Sequence, residues 1–411
     1  MLRQMNHFFR IVILTGLCPA AGLAQDADPG GLSFTFGLRQ QFEAFTDRSL
    51  SVAGQDPGGR STTILTFGAL SETRQDRLEL EFGTQLSDGL TRTDTTADLS
   101  YRRTSANAVL DLTAEWVQSD LAFLRSASSF VDADGIVVLP DDLGQLTSTG
   151  TRTATTFGAS LRWGELRPLG ASLELRHRIQ DYDNARATLT DGTTTTLSGG
   201  LRFNINPVTT ANLNLRYNII DDDGSAVENT AILRGGLTFD RPSGRLVTQI
   251  SVAHNDDSET RWAASVNRQF ELPRADLDIT LGVAQDDSAT AQLIGRVAYG
   301  YDLPEGRIEF SAGHDLTAGS DRRNTTLQAS YTQELTPISD LRLLLDYARA
   351  RDTDDGADIA VGTFSASYGL QLTPDWSVNF GARTDLRKDS GTASRANGVF
   401  MVLGRSLTWR P

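Results

Sequence analysis

The stretch RLELEFGTQL, residues 77–86, alternates apolar and polar positions without a slip. Leu78, Leu80, Phe82 and Leu86 fall on even numbers, while Arg77, Glu79, Glu81 and Gln85 fall on odd ones. A period of two predicts a β-strand with one apolar and one charged face. The same alternation recurs along the chain. Leu32, Phe34, Phe36, Leu38 and Phe42 share a parity, as do Leu110, Leu112, Ala114 and Trp116. Leu213, Leu215, Tyr217 and Ile219 repeat it, and so do Leu341, Leu343, Leu345 and Tyr347. Counting such segments gives about twenty strands of around ten residues, the length of a tilted strand crossing a bilayer. No helical period competes.

The connections alternate between two kinds. One is tight and carries a proline: Pro168, Pro207, Pro242, Pro273, Pro304, Pro337 and Pro374. The other is longer and acidic, as in DDDGSAVEN (221–229), NDDSE (255–259), DDSAT (286–290) and ARDTDDGAD (350–358). Sorting short turns to one end and longer loops to the other implies that the two ends face different compartments. All five tryptophans, Trp116, Trp163, Trp262, Trp376 and Trp409, take the apolar parity of their strand and fall near a strand end. Two such bands around an aliphatic middle are the aromatic girdles of a membrane protein.

The N-terminus and the charge narrow the setting. Arg3 and Arg10 precede the run IVILTGLCPAAGLA, which ends in small residues. Residues 1–24 therefore read as a secretory signal peptide cut after Ala24, with 25–31 a short tail and 32–411 the folded region. Cleavage there removes Cys18, the only cysteine, so no disulfide is expected. The full chain holds 38 basic and 52 acidic residues, and loss of Arg3 and Arg10 takes the net charge from −14 to −16. An exported chain this acidic argues against a nucleic-acid partner.

The chain closes on VLGRSLTW, residues 402–409. Gly404, Leu407 and Trp409 resemble the C-terminal signal of bacterial outer-membrane β-barrels, although Arg410 and Pro411 follow where that family stops at the aromatic. The resemblance is one of pattern, runs over the whole mature chain and singles out no subfamily. It implies an all-β fold, a transmembrane antiparallel up-and-down barrel of about twenty strands, with 16–18 as the alternative. It also implies outer-membrane lipid, lipopolysaccharide and the barrel-insertion machinery as partners. Leu78, Leu80 and Phe82 then face lipid and Arg77, Glu79, Glu81 and Gln85 line the inside, because unpaired backbone is not tolerated in hydrocarbon.

A barrel of this size encloses more space than its side chains fill. With so little chain between Ala24 and Leu32, no N-terminal plug domain is expected. One connection is long, residues 119–149, the third external loop by strand count. It mixes Phe123, Phe130 and Val137–Leu139 with the acids Asp120, Asp132, Asp134, Asp141 and Asp142. In position and acidity it is similar to the constriction loop of general porins; an external cap is the alternative. By parity Arg176, Arg178, Arg216 and Arg234 face the lumen near mid-height. Inward acids gather on earlier strands (Glu79, Glu81, Asp98, Asp111, Glu115) and later at Asp276 and Asp278. Two facing walls of opposite sign would set a transverse field; lumen salt bridges are the other reading.

Catalysis finds little support. The mature chain has three histidines, His177, His254 and His314, and none has a serine two residues on, the spacing of outer-membrane phospholipases. DTDDGAD (352–358) departs from a calcium loop at Gly356. No cofactor or metal is expected. His177 and the threonines Thr151, Thr153, Thr155, Thr193 and Thr195 take lipid-facing parity, which leaves two readings: a homo-oligomer interface, or residues lying above the bilayer. The function expected is a channel for passive diffusion of small polar solutes, with a non-conducting receptor or adhesin as the alternative and a hydrolase third.

Overall fold

A computed structural model describes residues 31–47, 57–87, 91–120, 150–183, 190–256, 260–286, 291–316, 322–352, 358–389 and 392–411. Among them are twenty strands. They open with β1 (Gly31–Phe45), β2 (Gly58–Glu72), β3 (Asp76–Ser87), β4 (Thr91–Thr104) and β5 (Ala108–Asp120). Next come β6 (Thr151–Trp163), β7 (Leu169–Asp183), β8 (Gly192–Asn206), β9 (Thr209–Asp222) and β10 (Glu228–Arg241). Then follow β11 (Gly244–Asn255), β12 (Thr260–Leu272), β13 (Ala275–Asp286), β14 (Gln292–Leu303) and β15 (Gly306–Leu316). The last are β16 (Arg322–Thr336), β17 (Ser339–Asp352), β18 (Asp358–Gln371), β19 (Trp376–Asp389) and β20 (Thr392–Trp409).

Each strand pairs antiparallel with its sequence neighbours, and β20 pairs with β1 from Phe34↔Trp409 to Phe45↔Gly398. The sheet is thereby closed and has no free edge. All seven prolines of the tight connections join an even-numbered strand to the next odd one, so they share one end. Five of these connections are two-residue turns whose first residue is proline (207, 242, 273, 304 and 337). Proline's fixed φ suits the entry to such a turn. After Pro242 and Ser243 the chain resumes at Gly244 with φ +119°, where a Cβ would meet the Gln269 carbonyl oxygen at 2.2 Å.

Strands run from 11 residues (β15) to 18 (β20), longer than the ten read from the alternation. They overrun the apolar band: at its loop end β6 continues outward as Thr151, Thr153 and Thr155. The strands are also strongly staggered. The ladder row that holds Leu78, near the turn end of β3, passes through Tyr101, Leu112, Leu175 and Tyr217 to Thr260, the first residue of β12 at the loop end. That climb is the tilt that barrel closure requires.

The polar parity is the inner one. Arg261 on β12 and Asp315 on β15 approach to 3.3 Å, although their strands are three apart, roughly 14 Å along the wall at ordinary strand spacing. Only the concave side lets them meet. The apolar parity is therefore outside and bare: Ile250 is 63 % exposed, Leu215 54 % and Leu201 53 %. Buried apolar residues are mostly alanines, such as Ala154, Ala284, Ala348 and Ala350. A water-soluble protein inverts this distribution; hydrocarbon around the barrel explains it.

Leu215→Arg on the outer face is expected to cost about 2–4 kcal/mol, the range for a cation in the hydrocarbon band. Its inward neighbour changed as Asn214→Arg is expected to cost less than about 1 kcal/mol. Urea titration of protein refolded into lipid vesicles measures both, and equal costs would overturn the assignment of inside and outside.

Candidate pore lining

Four arginines singled out in the sequence lie on neighbouring strands with inward parity: Arg176 and Arg178 on β7, Arg216 on β9 and Arg234 on β10. Each alternates with an outward leucine or isoleucine, such as Leu175, Leu215 and Leu233, so the period of two alone fixes its direction. The inward acids Glu79, Glu81, Asp98, Asp111 and Glu115 sit on β3, β4 and β5, while Glu174 lies on β7 two residues from Arg176. Glu81 pairs in register with Asp98, and Asp98 with Glu115, giving three carboxylates in one ladder row. The row continues through Thr156 of β6 to Arg178. The acidic and basic strands are therefore adjacent sectors of one wall, two strands apart at their near edges, and do not stand opposite each other across the lumen. The sequence shows sign and direction but not angular position, which depends on how many strands close the barrel.

Most other inward charges are paired. Asp111 of β5 accepts from Arg102 at 2.5 Å and from Arg162 at 3.3 Å, and Arg77 reaches Glu79 at 3.0 Å. Asp276, expected as part of a second acidic wall, is held at the turn end by Arg307 at 2.9 Å, which also binds Asp302 and Glu309. Asp278 accepts a hydrogen bond from Asn267 at 2.6 Å. Near the closing seam Glu43 of β1 accepts from Arg60 of β2 at 2.6 Å and from Arg383 of β19 at 3.4 Å, reaching across β20. Each has the inward parity of its strand, and their meeting depends on the β1–β20 pairing, which no local pattern reveals.

Ser119 and Asp120 belong to β5, so the long connection starts at 121. Asp132, Asp134, Asp141 and Asp142 lie outside the described residues, as do residues 1–30 with the expected signal and nearly all of the tail. Among the described residues no group of three or more His, Cys, Asp or Glu could hold a metal ion. Each histidine instead bonds through Nδ1 to the threonine opposite it on the next strand: His177 to Thr195 at 2.9 Å, His254 to Thr260 at 3.1 Å and His314 to Thr325 at 3.0 Å. All three pairs are on the outer face. Thr155 stands in register with Trp116, so Thr153 and Thr151 lie beyond the level of that aromatic.

Trp116 and Trp262 lie toward the loop end, Trp163, Trp376 and Trp409 at the turn end. Trp409 stacks on Phe34 across the seam with ring centroids 5.4 Å apart, and the Arg405 guanidinium lies 5.3 Å from the centre of the Trp376 ring. On β20 Leu407 and Trp409 point outward, 40 % and 58 % exposed, whereas Gly404 has the inward parity.

The fold has counterparts among solved structures. A variant of the ferric enterobactin receptor PfeA from Pseudomonas aeruginosa superimposes with a TM-score of 0.54 at 9 % identity, over 91 % of this chain and 80 % of that one. The siderophore receptor PirA from Acinetobacter baumannii gives 0.52 at 8 %, over 91 % and 80 %. The copper transporter OprC gives 0.50 at 11 %, over 93 % and 81 %. The fold is that of a bacterial outer-membrane β-barrel. With its bare apolar band, this barrel resides in an outer membrane, turn end to the periplasm and loop end outward. No protein-family model matches the sequence, and comparison with curated proteins gives no match.

Residues 31–411 contain no cysteine, so single introduced thiols report cleanly on this outer-membrane barrel. In protein refolded into vesicles, Arg176→Cys is expected to react with a membrane-impermeant thiol reagent and Leu175→Cys to stay unlabelled. Mass spectrometry reads both; labelling of both or of neither contradicts the lining described.

Proposed function

We propose that this barrel is a passive, porin-like channel for small hydrophilic solutes or ions. One observation carries the reading: inward side chains well inside the barrel are exposed to solvent, among them Glu81, Glu115, Glu174, Arg176, Asn214 and Gln249. Twenty strands at ~4.8 Å spacing and ~40° tilt put opposite backbones about 40 Å apart, too far for side chains to bridge. The long third external connection is the segment we assign to narrowing this bore, on its length and apolar content. Arg176, Arg178, Arg216 and Arg234 would form a basic wall beside it, and charged linings are how pores select ions. The aromatics at both ends fit interfacial lipid, and the outward Leu407 and Trp409 fit recognition by the insertion machinery.

Planar-bilayer recording of the refolded mature protein tests the proposal. Steady openings are expected, with larger conductance after deletion of residues 125–145. Arg216→Gln with Arg234→Gln is expected to move the reversal potential in a salt gradient toward cation selectivity. Silence from a folded protein, with and without the deletion, would overturn the channel and favour a receptor that works through its external loops.

A further inference from the structure

The mid-height wall groups like charges on β3–β5, whereas the periplasmic end of the same strands pairs acids with arginines. Two inward rows toward the periplasm opposite charges meet: Arg102 stands in register with Asp111, and Arg162 reaches the same carboxylate from β6. At mid-height Glu81, Asp98 and Glu115 are successive register partners with no basic residue between them. Facing residues in a ladder have Cβ atoms about 5 Å apart, so like charges there are destabilising. Asp98 lies within electrostatic range of both Glu81 and Glu115, and Arg178 of Arg152, of Arg176 and, across β6, of Glu115. Among the described residues none of Glu81, Asp98, Glu115, Arg176 or Arg178 makes an ion pair, whereas Arg178 donates to Gln180 at 3.0 Å. Two clusters of opposite sign, with no ion pair between them, thus flank a single strand, β6, which presents only Thr156 and Gly158 between them.

Their spacing selects the ligand. β5 and β7 are two strands apart, about 10 Å at the backbone. Glutamate and arginine side chains rising from a concave wall bring carboxylate and guanidinium closer than that, yet not into contact. A lone anion satisfies one cluster and a lone cation the other. A solute with both charges at its two ends satisfies both, with a hydrogen-bonded contact of about 3 Å at each end. Glu81, Glu115, Glu174 and Arg176 line one water-accessible recess, so the strip is open to such a molecule. From this geometry we infer that the β3–β7 wall is a binding strip for zwitterionic solutes, the class of free amino acids and short peptides. Arg176 and Arg178 take the carboxylate, and Glu81, Asp98 and Glu115 take the ammonium. The inference deepens the channel reading and rests on its water-filled lumen.

Isothermal titration of the protein refolded in detergent micelles provides the test, with glycylglycine as the zwitterion, N-acetylglycine as the anion alone and glycinamide as the cation alone. Glycylglycine is expected to bind about tenfold more tightly than either single-charge probe. That advantage is expected to vanish in Glu81→Gln/Asp98→Asn/Glu115→Gln and in Arg176→Gln/Arg178→Gln, and to survive in Arg176→Lys/Arg178→Lys. Equal binding of N-acetylglycine would reduce the strip to an anion site, equal binding of glycinamide to a cation site, and no heat from any probe would remove it; each outcome overturns the inference on wild-type protein alone. Bilayer currents keep the two readings apart. A conducting barrel without dipeptide preference overturns only the strip, and a silent barrel that binds glycylglycine overturns only the channel.

Discussion

A peptide group in hydrocarbon has no water to bond to, and an unpaired one costs several kcal/mol. Everything else in this molecule follows from that constraint. Strands can cross a bilayer only if both edges of every strand are occupied, which forces β20 onto β1 along the register from Phe34↔Trp409 to Phe45↔Gly398. Closure then dictates the stagger that carries one ladder row from the turn end of β3 to the loop end of β12. Twenty strands fix the circumference, and the circumference is too large for side chains to fill. An interior that the strands' own side chains leave unfilled is thus a geometric result of closing a sheet this wide, before any residue in it is chosen.

Within that interior the choice of residues follows two policies. Toward the periplasmic turns and along the closing seam, opposite charges are interleaved: Arg307 with three carboxylates, Glu43 between Arg60 and Arg383. The exposed Arg307 pairs contribute little each, whereas buried Glu43 depends on its two arginines, since an unpaired buried charge is costly. At mid-height on β3–β7 the signs are sorted instead. Sorting sacrifices pairing energy that the same strands secure two inward rows away, which is the mark of a surface arranged around something other than its own stability.

Much of the fold was legible because a strand's period of two is the strongest periodic signal a short segment can carry. The parity of Leu78, Leu80 and Phe82 against Glu79 and Glu81 gave faces directly, and the seven prolines sorted the ends. What stayed hidden is whatever depends on angle around the barrel. Nothing local to Glu43 or Arg383 says that β19 and β1 are two strands apart across a seam. Nothing local to Asp276 places it in the grip of Arg307 at the rim. The adjacency of the acidic and basic sectors belongs to the same class: each charge was identifiable, but whether the two walls face each other or stand side by side is decided by the strand count.

The seam has one more consequence. In the finished barrel the β20–β1 pair is a ladder like the other nineteen, with the same antiparallel register and with Trp409 packed on Phe34. The place where the chain starts and stops is then topologically arbitrary. A circular permutant that joined the two strand ends at the periplasmic side and opened the chain in the Pro273–Arg274 turn would retain every interstrand pairing. Only the order in which those pairings become available during synthesis would change, so such a permutant separates what the mature barrel requires from what its assembly requires.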